Sequence, residues 1–203
     1  MTAPSAKRVW FIDTSSLISL AVSADLKSVV LAAIGSDAIV LLDVVADELD
    51  YRSAFDGLAA AAYADLAWLG PIADSSRFVD IEDAERIQLQ VADGKALKDP
   101  YEHWAESVTI AMLHAAHARG SALPTLYLAE DHSARLQANK VSTCSPLSLH
   151  RLLWERVRAS KLDALEAERL ADLLHKQDRG PQCTADDFTN LDRRLGIGRV
   201  GLP

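Results

Sequence analysis

Residues 9–12, Val-Trp-Phe-Ile, form an uninterrupted apolar run that stops at Asp13 and is followed by Thr14, Ser15 and Ser16. A short apolar run bounded by polar residues predicts a buried strand. The Thr/Ser cluster after it predicts a helix start. Asp13 therefore belongs at the carboxyl end of a buried strand, facing a helix. In open α/β sheets the ligand crevice lies outside the carboxyl ends of the strands. A carboxylate buried there needs a cation or a partner, because isolated buried charge is costly.

The same pattern recurs along the chain. Strands are predicted over residues 8–13, 38–42, 77–81 (an edge strand), 123–129 and 141–144. Between them, helical spacing of apolar residues predicts helices from about Ser15, over 25–34, from Val44, and over 53–69, 82–93, 101–118 and 132–138. Ser145 and Pro146 read as N-cap and first residue of a further helix. Gly35, Gly70-Pro71 and Gly120 are the breakers. Alternating strands and helices imply a parallel sheet covered on both faces. Beyond Trp154 the character changes to a charged amphipathic helix over 161–177 and a shorter one, capped by Thr184, over 185–195. The expected organisation is a domain over residues 7–154 and a helical C-terminal extension over 155–203.

At 203 residues, with 49% hydrophobic and 25% charged residues, the chain has the composition of an ordinary soluble globular protein. Its net charge of −8 gives no global basic field of the kind nucleic-acid binders usually carry, although a local patch can work inside an acidic protein. Cys144 and Cys183 form no paired motif, so a disulfide framework is not expected and a reducing cytoplasm is. No apolar stretch is long enough to span a membrane.

Four acids share one structural description. Asp13 ends the first strand, Glu48 follows the second on the face of Val44 and Val45, Glu106 opens an apolar helix, and Asp131 ends the strand after it. Right-handed crossovers in a parallel sheet bring all four to one edge. Any one of them could be only a helix cap. Gathered together they would repel and raise one another's pKa. A hard divalent cation relieves that conflict, and oxygen ligands suit Mg²⁺ or Mn²⁺. A metal-polarised water beside them is a nucleophile suited to a phosphodiester.

In this order, FIDTSSLISL, VVADELD, HWAESVTIAMLHAA and LYLAEDHSARLQA resemble a PIN domain over residues 7–154. The resemblance implies a five-stranded parallel sheet in a three-layer α/β/α sandwich. It also implies a Mg²⁺- or Mn²⁺-dependent ribonuclease, often the toxin of a toxin–antitoxin pair, with Asp13, Glu48, Glu106 and Asp131 as its acids. Thr14, Ser15 and Arg135 are the expected substrate contacts. The chain departs from the family where Ala129 replaces a usual Thr or Ser, where Ser15 replaces a frequent Asn, and in its extension. The alternative reading is a PIN-like scaffold or RNA-binding module without turnover.

Other signals carry less. Residues 196–201 match G-x-G-x-x-G but lack the following helix that a dinucleotide site requires. His103, His114 and His117 lack the further ligands of a zinc site. Asp43, Asp47 and Glu130 are expected to point away from the four acids. Arg135, Lys140, Arg151, Arg156, Arg158 and Lys161 form a basic region that could hold a nucleic-acid backbone. Leu162, Leu165, Leu170, Leu173 and Leu174 form a stripe that either packs on the domain or meets a protein partner, an antitoxin or a second copy.

Overall fold

The computed structural model describes residues 7–189. Strands β1 (Val9–Ile12), β2 (Ala38–Leu42), β3 (Ile72–Ala73), β4 (Thr125–Leu128) and β5 (Cys144–Leu147) form one sheet in the order β3-β2-β1-β4-β5. Every pairing is parallel. Parallel neighbours need crossovers, and helices supply them. Helices α1 (Thr14–Leu20) and α2 (Ala24–Ile34) join β1 to β2, and α3 (Asp43–Ser53) and α4 (Gly57–Ala64) join β2 to β3. Helices α5 (Ile81–Val91) and α6 (Trp104–Ala118) lead to β4, and α7 (His132–Ala138) leads to β5. Helices α8 (Leu149–Arg158), α9 (Ala164–His175) and α10 (Ala185–Thr189) follow.

Helices α1 to α4 and α8 pack together, as do α5, α6 and α7, and the two groups meet where α3 touches α6. Right-handed crossovers place the two groups on opposite faces. The fold is the expected three-layer α/β/α sandwich around a central parallel sheet. From β1 the chain first moves toward β2 and β3, then returns to β4 and β5 on the other side. The reversal makes the β1–β4 boundary a topological switch point, where such sheets open a crevice.

The apolar runs become strands because both faces of the sheet are covered. Trp10, Phe11, Ile12, Leu126, Tyr127 and Leu128 are all buried. The buried side chains of α9 and α10, among them Leu170, Leu174 and Phe188, join the same continuous core. Leu165 of the predicted leucine stripe stays in solvent, at 70% exposure. Among the described residues no helix is long and apolar enough to cross a membrane. Both cysteines are buried free thiols.

Three elements differ from the sequence expectation. The third strand is β3, not residues 77–81. Gly70 takes a positive φ of 85°, and the chain then pairs Ile72 and Ala73 beside Leu41 and Leu42. Residues 75–77 instead form a 3-10 turn, and Asp80 caps α5 by accepting from the Glu82 N–H. The alanine-rich segment is not one helix over 53–69: Ser53 ends α3, the Asp56 carboxylate accepts from the N–H groups of Leu58 and Ala59 and starts α4 afresh, and Leu66–Leu69 form a separate 3-10 turn after Asp65. The last strand reaches through Pro146, and Ser148 is the N-cap of α8. Pro146 is tolerated because β5 is an edge strand. The β4 amides of Thr125 and Ala129 bond to the carbonyls of Thr143 and Leu147. In a parallel ladder the intervening even positions then turn their backbone nitrogens outward, so no ladder bond is lost at residue 146. The predicted helix over 185–195 is observed as α10; residues 190–195, and the glycine motif at 196–201, lie outside the described residues.

Candidate active site

Asp13 is the N-cap of α1. Its Oδ1 accepts from the Ser16 N–H at 2.7 Å and its Oδ2 from the Ser15 hydroxyl at 2.8 Å. Its own N–H donates to the Leu128 carbonyl at 3.0 Å, which stitches the end of β1 to the end of β4. The residue is 1% exposed. Burial pushes its carboxyl pKa up, against hydrogen bonds from Ser16, Ser15 and the Glu130 backbone that pull it down.

Glu48 projects from α3 toward the same junction. Its Oε2 accepts from the Thr14 hydroxyl at 2.8 Å, and its Oε1 pairs with Arg52 at 3.2 Å. Thr14 thus fastens the second acid to the residue after the first. Asp131 caps α7, accepting from the Ala134 N–H at 2.6 Å. Glu106 lies in the first turn of α6, and α6 also meets α3. The Glu106 carboxyl is pushed up to about 8, first by burial and then by the negative charges of Asp13 and Glu48, with Asp131 adding to them. The charges of the other three predicted acids therefore all reach Glu106.

The donor set is all oxygen, which suits a hard divalent cation. The acids also carry a surplus of negative charge that a cation would relieve. As the side chains stand, however, no group of three or more His, Cys, Asp or Glu among the described residues could hold a metal ion. Asp13 and Asp131 are occupied as caps, and Glu48 with Thr14 and Arg52. Mg²⁺ often uses only one or two carboxylates and keeps several waters, a mode that needs no cluster of three acids.

Two contributors were not foreseen. Tyr127 of β4 is fully buried, and its hydroxyl has no partner among the described residues. Its pKa is raised by burial and by Asp13, Glu106 and Asp131, so an uncommitted hydroxyl lies beneath the acids. Glu130, expected to face elsewhere, accepts from the Leu149 N–H at 2.8 Å. Burial raises its pKa to about 7, and the Asp13 charge adds to the rise. Asp43 has a fastening role, accepting from the Val44 and Ser75 N–H groups. Asp47 is exposed.

Of the expected substrate contacts, Thr14 and Ser15 hold the acids. Arg135 donates from Nη1 to the carbonyls of Ala129 and Glu130, closing the turn between β4 and α7. The basic region is partly engaged with itself: Arg151 pairs with Glu155, and Arg151 and Arg158 both stack on Trp154. His103 precedes α6 in a left-handed conformation with φ 61°, and His117 approaches the Ser142 hydroxyl. Beside Asp131 opens a cavity of about 300 Å³ whose walls mix Lys95, Lys98 and His103 with the acids Asp93 and Glu102.

Fold and site together define an α/β/α sandwich with a buried Asp13 near its switch point and Glu106 under the charges of Asp13, Glu48 and Asp131. The chain has no significant match among protein-family models, curated proteins or solved structures.

Proposed function

We propose that the chain is a PIN-like, divalent-metal-dependent endoribonuclease. The supporting observation is the carboxyl of Glu106, held at about 8 by burial and by Asp13, Glu48 and Asp131. Structural carboxylates are normally spread or paired with cations. Four acids raising one of their number at a switch point read as a site prepared for positive charge. When bound, Mg²⁺ or Mn²⁺ supplies activation of the attacking water and neutralisation of the leaving oxygen.

The chain's own residues have separable tasks. Asp13, Glu48, Glu106 and Asp131 are the acids that would hold the cation, Mg²⁺ through only one or two of them with water filling its remaining positions. Thr14 and Ser15 fix the first two acids in place. Lys95 and Lys98, beside Asp131, take the phosphate backbone without reading sequence. RNA is the substrate, and the reducing cytoplasm its setting, consistent with two buried free thiols. A role as the toxin of a toxin–antitoxin pair, with an antitoxin or a second copy as partner, follows from the resemblance alone.

The test is cleavage of a labelled single-stranded RNA in Mg²⁺ or Mn²⁺. Asp13→Asn is expected to abolish cleavage, a loss of at least about a hundredfold for a group stabilising the transition state. Circular dichroism should show the fold retained, because Asn also serves as an N-cap. Unchanged cleavage by that variant sinks the assignment. Wild-type protein that cleaves neither RNA nor DNA favours the second reading, a PIN-like scaffold, to which Ala129 lends support as a position without the hydroxyl.

A further inference from the structure

Ser15 belongs to two sites. Its hydroxyl donates to Asp13, and it also lines a cavity of about 400 Å³. Three separate stretches build the other walls: Glu130 and Arg135 after β4, His150 in α8, and Arg179 and Gly180 after α9. The volume lies within the usual range of small-ligand pockets.

This cavity has polar groups without partners. His150 is 4% exposed and its ring interacts with the Pro181 backbone, yet its Nε2 has no hydrogen-bond partner among the described residues. The same is true of Arg179 Nε, while Arg179 Nη2 makes only a 3.4 Å contact to Asp56. Among the described residues Arg135 uses Nη1 alone, so its Nε and Nη2 donors have no partner there. Buried polar atoms left unpaired in a folded protein call for an explanation. The wall is closely fitted as well. A Cβ on Gly180 would stand 2.1 Å from His150 Cε1 and 2.9 Å from Nε2, so only glycine can lie against the imidazole.

Two guanidinium groups with hydroxyls beside them suit a phosphate. Glu130 adds a requirement. One of its oxygens accepts from Leu149, and the other is a spare acceptor that would oppose a bare anion. Asp178, at the rim, opposes it too. A ligand that carries both a phosphate and hydrogen-bond donors resolves the conflict.

We propose that this cavity is a one-nucleotide subsite, with the phosphate between Arg135 and Arg179 and a sugar or base donor on Glu130. Through Ser15 it adjoins Asp13, so on the nuclease reading, on which the identity of the ligand rests, it holds the nucleotide next to the scissile bond. His150 Nε2 gains its missing partner when the nucleotide enters.

The experiment titrates adenosine 5′-monophosphate and inorganic phosphate into the full chain in EDTA, by calorimetry and by the ring signals of His150 in NMR. Saturable binding of the mononucleotide, at least about tenfold tighter than phosphate, is expected. Arg179→Gln should weaken it about tenfold, the usual scale for a lost charge-assisted hydrogen bond. The His150 ring signals should shift on binding in the wild type, a readout that does not depend on any variant folding. No saturable binding, equal affinity for phosphate, or unmoved His150 signals would overturn the subsite. Metal-free binding keeps the two readings apart. Mononucleotide binding without RNA cleavage removes the nuclease and keeps the pocket; cleavage without mononucleotide binding does the reverse.

Discussion

At the scale of single residues, Glu106 governs the behaviour of the crevice. Its folded-state pKa of about 8 lies above the ordinary value of 4.5. The folded state therefore binds a proton that the unfolded state has released, and stability falls as pH rises through that window. In metal-free buffer the melting temperature is expected to drop between about pH 4.5 and pH 8, then level. Glu106→Gln should remove part of that fall and melt higher than wild type at pH 8, while matching it near pH 4.5. Melting curves across pH decide the matter; parallel curves for the two proteins would show that Glu106 ionises normally. Glu130 and Asp13, both raised, account for the remaining slope.

The positions of Asp13 and Asp131 after strands and of Glu106 in the first turn of a helix were legible in the sequence, because apolar runs and caps mark such element ends. Tyr127 and Glu130 were not. A strand covered on both faces has no polar side, so period-two alternation gives no direction to Tyr127. Glu130 adjoins Asp131 in a turn, where strand periodicity no longer dictates which way a side chain leaves. The unpaired Nε2 of His150 was hidden for another reason: the ring lies against Gly180, thirty residues away in the chain.

At the scale of elements, α9 shows how a leucine stripe divides. Leu170 and Leu174 are fully buried, whereas Leu165 is 70% exposed. Leu174→Ala is expected to cost about 2–5 kcal/mol, through lost transfer energy and a cavity. Leu165→Ala should change stability by no more than about 0.5 kcal/mol, as usual for exposed positions. Denaturant unfolding of both variants checks this; equal effects would mean that α9 does not dock through this face. The longer strands and helices were readable because their apolar periodicity is sustained. The two residues of β3 cannot carry a pattern, and the proline of β5 obeyed an edge-strand rule that only the sheet order makes relevant.

At the scale of the whole molecule, α9 and α10 complete the core. They pack against α8, whose Leu149, Leu152 and Leu153 are buried. Removing residues 159–203 takes away Leu170, Leu174 and Phe188 and leaves part of that apolar surface uncovered. Large exposed apolar patches drive association. The shortened chain is expected to aggregate, or to melt well below the full chain, when followed by light scattering after gel filtration. A monodisperse, equally stable product would make the C-terminal helices an accessory.

The outward-turned nitrogen at Pro146 has a consequence for assembly. One rim of the sheet ends in a strand with no hydrogen to offer at that position, and the opposite rim is the two-residue β3. Neither border can readily template an added strand. Copies of this chain, or a partner protein, would therefore be joined by contact between side chains on the helical layers, not by lengthening the sheet.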